Sequence, residues 1–243
     1  MKIILLSAAL MLVALGSNAQ EKGRLTIEPR VGMTIATFTG SGAGGATDKV
    51  GLTGGFNLEY GLSPLWSFEA GVNYTQLGAR DFSLDRSEAL ISGQKSRLGV
   101  VIFEKSSLTY SLDYLVVPLT VAFHPWQGLS LRTGLQLGYC VRSHVKGYIA
   151  IGSVATTSQR DDFELGSNYP IVSLQSGNVD GDLGDEVNKF DVGIPVGIGY
   201  DWKNLSLDAR YVFGLANISK EDVGHMRNRA FMLTLGYKFK VTR

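Results

Sequence analysis

The chain has 243 residues, with 23 basic and 22 acidic side chains and a formal net charge of +1. That balance argues against a nucleic-acid-binding surface and against a polybasic membrane-surface role, and the single cysteine, Cys140, excludes an internal disulfide framework. Glycine is frequent at 30 and proline scarce at 6, with no short repeat, so the chain is neither collagen-like nor marked as disordered.

The first element is a leader. Met1 and Lys2 precede an apolar run over residues 3–15, and Ser17-Asn18-Ala19 supplies the small residues of a cleavage site. Residues 1–19 therefore read as a cleaved secretory signal peptide, leaving residues 20–243 as one domain. The run is shorter than the roughly 20 apolar residues of a membrane-spanning helix, and no cysteine follows it to accept a lipid. Nothing later in the chain is long and apolar enough for such a helix, so any crossing of a membrane must use strands.

From there on the sequence alternates. In LTIEPRVGMTI, Leu25, Ile27, Pro29, Val31, Met33 and Ile35 share a face opposite Glu28, Arg30 and Thr34. LTGGFNLEYGLSPLWSFEAGVNYT holds two such runs: Leu52, Phe56, Leu58 and Tyr60, then Trp66, Phe68, Val72 and Tyr74, oppose Thr53, Asn57, Glu59, Ser67, Glu69, Asn73 and Thr75. A period of two means a strand with one apolar face. The fourth run, residues 107–121, sets Leu108, Tyr110, Leu112, Tyr114 and Val116 against Thr109, Ser111 and Asp113. Its later half is apolar on both sides through Leu115, Val117 and Leu119, which implies either a bulge or an apolar barrel interior at that end. Pro29, Pro118 and Pro195 each remove a ladder donor and favour a bulge or a strand end.

Four more runs follow. In LSLRTGLQLGYCVRSHV, Leu129, Leu131, Leu135, Leu137, Tyr139, Val141 and Val145 oppose Arg132, Gln136, Arg142 and His144. In FDVGIPVGIGYDW, Phe190, Val192, Ile194, Val196, Ile198, Tyr200 and Trp202 oppose Asp191, Gly197 and Asp201. Residues 205–215 and 229–239 repeat the pattern, giving about eight strands. The connections alternate between short (LSPL, FHPWQG, DWKN) and long (TGSGAGGATDK, residues 78–105, residues 146–189, ANISKEDVGHMRN). Short turns at one end and long loops at the other, with both termini on the short-turn side, are expected of an outer-membrane barrel. Trp66, Trp126 and Trp202 all fall at the short turns, as an interfacial aromatic girdle requires.

The structural rival is a soluble eight-stranded barrel of the lipocalin type, because alternation does not say which face points inward. Volume decides against it: roughly forty large apolar side chains share one face, and an eight-stranded interior has no room for them. The expected fold is thus all-β, an eight-stranded antiparallel up-and-down transmembrane β-barrel with short periplasmic turns and long extracellular loops. Its lumen should receive Glu28, Glu59, Glu69, Asp113, Asp191 and Asp208 against Arg30, Arg132, Arg142, Arg210 and Lys238. Near-balanced charges in a confined space are costly unless paired, so a salt-bridged plug is expected, with a narrow conducting pore as the alternative.

The stretches VGMTIATFTG, GFNLEYGLSPLWSFEAGVNYTQLG, SLDYLVVPLTVAF, LSLRTGLQLGYCV, FDVGIPVGIGYDW and the final LGYKF resemble the PorT-like outer-membrane β-barrel proteins of Bacteroidetes, small porin-like barrels. The resemblance spans nearly all of the mature chain and implies an outer-membrane location. It also raises an accessory role in protein secretion, and it brings no catalytic motif.

Catalytic, cofactor and metal sites are expected to be none. A hydrolytic site would need a nucleophile, a histidine and an orienting carboxylate. The available groups are His124, His144 and His225, with Asp161, Asp162 or Glu221 as acids. Residues 178–186, NVDGDLGDE, space Asn178, Asp180 and Asp182 as calcium ligands would be, but Leu183 stands where an EF-hand loop has glycine. The reading that follows is a monomeric structural or binding barrel, in contact with outer-membrane lipid. Its loops would meet an envelope protein or a polysaccharide.

Overall fold

A computed structural model describes residues 23–80, 86–91, 98–157, 171–220 and 224–241. The leader expected at residues 1–19 lies outside them. Eleven strands follow in order: β1 (Leu25–Thr39), β2 (Lys49–Gly61), β3 (Trp66–Ala79), β4 (Arg86–Ile91), β5 (Leu98–Trp126), β6 (Leu129–Thr157), β7 (Ile171–Asp182), β8 (Phe190–Trp202), β9 (Leu205–Gly214), β10 (Arg227–Tyr237) and β11 (Phe239–Val241).

Eight of them close a ring in the order β1-β2-β3-β5-β6-β8-β9-β10, and β10 pairs back onto β1. Every pairing is antiparallel, and β11 continues the line of β10 along β1. Closure removes the free edges that an open sheet would expose to lipid. Leu25 pairs with Tyr60 on one side and Val241 on the other. The first and last strands therefore meet at the short-turn end.

The outer wall is apolar. Val31, Leu52, Phe56, Leu135, Val196 and Leu235 are all at least half exposed, and Phe190 is 73% exposed. Such a continuous apolar exterior is what lipid requires and water would penalise. At the short-turn end it is rimmed by Trp66 against Phe123 (ring centroids 4.8 Å apart), by Tyr237 against Phe239 (4.7 Å), and by Trp126 and Trp202. A second aromatic band lies toward the other end, where Tyr139 meets Phe190 at 5.2 Å and Tyr211 meets Phe213 at 4.7 Å.

Three departures from the sequence reading stand out. β5 and β6 each run for 29 residues, nearly three times the 9–11 residues a crossing strand needs. Their ladder continues unbroken from Asp113↔Arg142 to Leu98↔Thr157, and β4 and β7 add to its two sides. Much of the stretches 78–105 and 146–189, expected as loops, is thus a four-stranded sheet rising beyond the barrel. VVIFEKS and GYIAIGSV within it are rich in β-branched and aromatic residues, which favour extended backbone.

The second departure is the phase of β5. Leu112, Tyr114, Val116, Pro118 and Thr120 are buried inside, while Leu115, Leu119 and Val121 face outward. Asp113 therefore points to the outer side of β5, in register with Gln76 and Arg142, although its neighbours leave it only 7% exposed. The third is a bulge. Asp113 pairs with Arg142 but Tyr114 with Cys140, so Val141 is an extra residue on β6. Beyond it the alternation inverts: Arg142 is exposed and Ser143 and Val145 turn inward, opposite to their expected faces. The prolines behave as expected, because each ladder gap at β1–β10, β3–β5 and β6–β8 falls beside Pro29, Pro118 or Pro195.

Candidate functional site in a two-level lumen

The inward face of the strands builds two layers of different chemistry. Nearer the short turns is a layer of charges. Glu69, on β3 and 0% exposed, accepts from Asn57 Nδ2 at 2.9 Å and Arg30 Nη2 at 3.0 Å. Arg210 Nη2 at 3.4 Å, Arg132 Nη1 at 3.5 Å and Thr120 Oγ1 at 3.5 Å complete its surroundings. One carboxylate thus ties β3 to β1, β2, β5, β6 and β9. Asp208 takes Arg132 Nη1 at 2.8 Å and Arg210 Nε at 2.5 Å, and Glu28 takes Arg30 Nη2 at 3.2 Å.

A second group sits closer to the short-turn mouth. Lys238 Nζ donates to Glu59 Oε2 at 2.7 Å and Asp201 Oδ2 at 2.6 Å. Ser67 Oγ donates to Glu59 Oε1 at 2.7 Å, and His124 Nε2 lies 2.9 Å from Ser67 Oγ and 3.4 Å from Glu59 Oε1. Serine, histidine and carboxylate are together here, but both oxygens approach the same ring nitrogen. A relay needs the acid on the other nitrogen, so the geometry is that of a buried hydrogen-bond knot.

Small residues make room for these groups. A Cβ on Gly236 would overlap the Glu28 carboxylate, and one on Gly199 would lie 2.6 Å from Ser130 Oγ and 3.1 Å from Arg132 Cζ.

The layer toward the long connections is apolar. Phe38, Leu77, Leu112, Tyr114, Val116, Val212 and Met232 pack into one cluster with Ala36, Ala79, Ala230 and Cys140. The connections fold onto it: Ala43, Val187 and Ile218 are buried in the same cluster. Gly42 N bonds His225 O at 3.1 Å, Asn188 N bonds Ile218 O at 2.7 Å and Ile218 N bonds Met226 O at 2.7 Å. Asp191, the acid expected in this part of the lumen, accepts from Asn228 Nδ2 at 2.8 Å, and the same amide lies 3.3 Å from Tyr114 Oη.

Of the eleven charged residues expected in the lumen, the structure brings Glu28, Glu59, Glu69, Asp191, Asp208, Arg30, Arg132, Arg210 and Lys238 inside and leaves Asp113 and Arg142 on the outer side of their strands. The reading missed Asp201, Ser67 and His124 as partners of Glu59 and Lys238. Ser67 and Asp201 lay on the polar face, whereas His124 in a short turn carried no signal.

The expected histidine constellation lies only partly within the described residues. His144 Nε2 lies 2.9 Å from Asp180 Oδ1 in the projecting sheet, and His225 belongs to the last long connection. Asp161, Asp162 and Glu221 lie outside the described residues. Asn178, Asp180 and Asp182 sit in the extended backbone of β7 and not in a loop, and no cluster of metal-ligating side chains occurs among the described residues. Asp180 is instead held by Lys146 Nζ at 3.3 Å, which with His144 keeps its carboxyl below the ordinary carboxylate range. Asp182 accepts from Ser143 Oγ and from Gly184 N.

A closed antiparallel ring of eight strands, apolar outside and polar inside, defines a transmembrane barrel of the outer-membrane class. Residues 18–220 match the outer membrane protein beta-barrel domain family, and the chain belongs to it. A comparison with curated sequences finds no match. Among solved structures, the chain is similar to the attachment invasion locus protein Ail of Yersinia pestis at 16% identity and TM-score 0.37, over 90% of this chain and 100% of that one. Neisserial surface protein A matches at 12% identity and TM-score 0.39, over 88% and 97%. The N-terminal barrel domain of Pseudomonas aeruginosa OprF matches at 12% and 0.31, over 90% and 100%.

Proposed function

We propose that this outer-membrane protein is a non-conducting, non-catalytic barrel that holds its long connections, and above all the sheet of β4 to β7, on the outer surface of the cell as a binding platform. The observation that carries this reading is the pairing of two barriers in one lumen. The upper layer is lined mainly by apolar side chains, and its few polar groups, Asp191, Asn228 and Tyr114 Oη, are bonded to one another; in the charged layer beneath it every cation meets a carboxylate. An enzyme or a pore would need an open inner path or a converged set of reactive groups. The partner is an envelope protein or a polysaccharide met by the loops. The resemblance to PorT-like barrels adds protein secretion as the process in which such a platform would serve.

The test combines two measurements on one detergent preparation. A band that migrates differently when unboiled reports the folded barrel, and planar-bilayer recording reports the lumen. A shifted band without steady conductance is expected. Stable single-channel currents from the folded protein would overturn the closed lumen and make a narrow solute pore the function.

A further inference from the structure

The outer face of β10 carries Arg227 and Arg229 directly above Phe231, Leu233, Leu235 and Tyr237, in one column of alternate residues. The column runs from the apolar band to the rim at the long-connection end. The flanking strands offer no acid on that face: β1 presents Ile35, Thr37 and Thr39, and β9 presents Tyr211 and Phe213. Neither arginine makes an ion pair among the described residues. Arg229 is nevertheless held in place. Its Cζ lies 4.9 Å over the Phe213 ring and its Nε donates to Thr39 Oγ1 at 3.3 Å, and its two amino nitrogens have no hydrogen-bond partner among the described residues.

Two guanidiniums without an acid partner among the described residues, at the edge of a lipid-facing wall, are in the position where an anionic headgroup lies. Every cation of the charged layer in the lumen, by contrast, has its carboxylate. Alternate residues on a strand are about 7 Å apart, within the span of one phosphorylated headgroup, and a guanidinium matches phosphate through two parallel hydrogen bonds. The stacking on Phe213 fixes the orientation of that fork in advance. We propose that Arg227 and Arg229, with the Thr37 and Thr39 hydroxyls beside them, form a binding site for the phosphate of an outer-leaflet glycolipid. The site depends on the outward orientation of the long connections proposed above.

The experiment is native mass spectrometry of the detergent-purified full chain with added lipid A, in its phosphorylated form and after phosphatase treatment, and with inorganic phosphate as competitor. The wild type retains phosphorylated lipid A, and the variant carrying Arg227→Gln and Arg229→Gln binds it about tenfold more weakly or worse. R229K recovers only part of the loss, because an ammonium lacks the planar fork. Phosphatase-treated lipid A binds the wild type no better than intact lipid A binds the double variant. The comparison of intact with phosphatase-treated lipid A on the wild type stands even if the double variant fails the unboiled-gel test of folding. Equal retention of both lipids by the wild type overturns the proposal. So does displacement of the lipid by inorganic phosphate at equal concentration, which would make this a soluble-anion site. Retention in detergent is independent of orientation, whereas protease digestion of the loops on intact cells tests orientation alone.

Discussion

Replacing Glu69 by Gln removes one charge from the centre of the lower layer while keeping the side chain's volume and its acceptor for Asn57. Arg30, Arg132 and Arg210 face Glu28, Glu69 and Asp208 in the native lumen, three charges of each sign. After the substitution three cations face two anions, all in a space where the side chains are no more than 7% exposed. Breaking a buried ionic group in this way costs about 3–5 kcal/mol, because the remaining partner is left uncompensated. Equilibrium urea unfolding in lipid vesicles, followed by the fluorescence of Trp66, Trp126 and Trp202, reads that loss. Adding Arg30→Gln to the variant restores two charges of each sign, and it is expected to recover part of the stability. The exposed control Glu186→Gln changes little, within about 0.5 kcal/mol. A loss below about 1 kcal/mol for Glu69→Gln would place the layer among solvent-screened ion pairs and refute the dry-lumen argument.

Three further outcomes follow from the same geometry. Phe38→Ala together with Leu112→Ala removes two large side chains from the apolar layer, costing about 2–5 kcal/mol each. It should permit brief current openings in bilayer recordings that the wild type lacks, and silent recordings from the folded double variant would put the barrier elsewhere. Gly236→Ala forces a methyl group onto the Glu28 carboxylate, so the heat-modified band should shift to a lower melting temperature; an unchanged melting profile would mean that the carboxylate can move freely aside. Asp180→Asn breaks the contacts to His144 and Lys146 that pin β7 to β6, and amide exchange over residues 177–182 should speed up while barrel melting stays the same. Because the folded Asp180 carboxyl is held below its ordinary value, this clamp is complete above about pH 4 and is lost as the pH falls through the lowered value. Faster exchange already at pH 6 would contradict that assignment.

The wall was legible because its pattern is local and repetitive. Leu205, Leu207, Tyr211 and Phe213 on one strand and Phe231, Leu233, Leu235 and Tyr237 on the next declare an outer face without reference to anything else in the chain. The phase of β5 was not, because Tyr114 and Leu115 are equally apolar and only the register with Thr75 and Cys140 decides which one points inward. The bulge at Val141 leaves no local trace either: one inserted residue looks like one more apolar position until its partners are known. The height of the β5–β6 hairpin was hidden for a different reason. Its β-forming residues lack the strict alternation that one-sided burial in a barrel wall imposes.

The site was half legible, and the division has a physical origin. Charges on an otherwise polar face could be assigned to the lumen strand by strand, but pairing is a property of the closed ring. Glu69 meets Arg132 and Arg210 only because the ring brings β6, two strands along the wall, and β9, across the interior, within reach of β3. That dependence gives the lower layer a role in specifying the fold as well as in the closure proposed for the lumen. A one-residue slip of β3 against β2 and β5 would carry Ser67, Glu69 and Asn73 into lipid and Phe68, Val72 and Tyr74 into the lumen, inverting every contact at once. The apolar layer above could tolerate such a slip far better, since Leu, Val and Tyr repack without named partners. The ionic layer therefore holds the register on which the packing of the apolar layer depends.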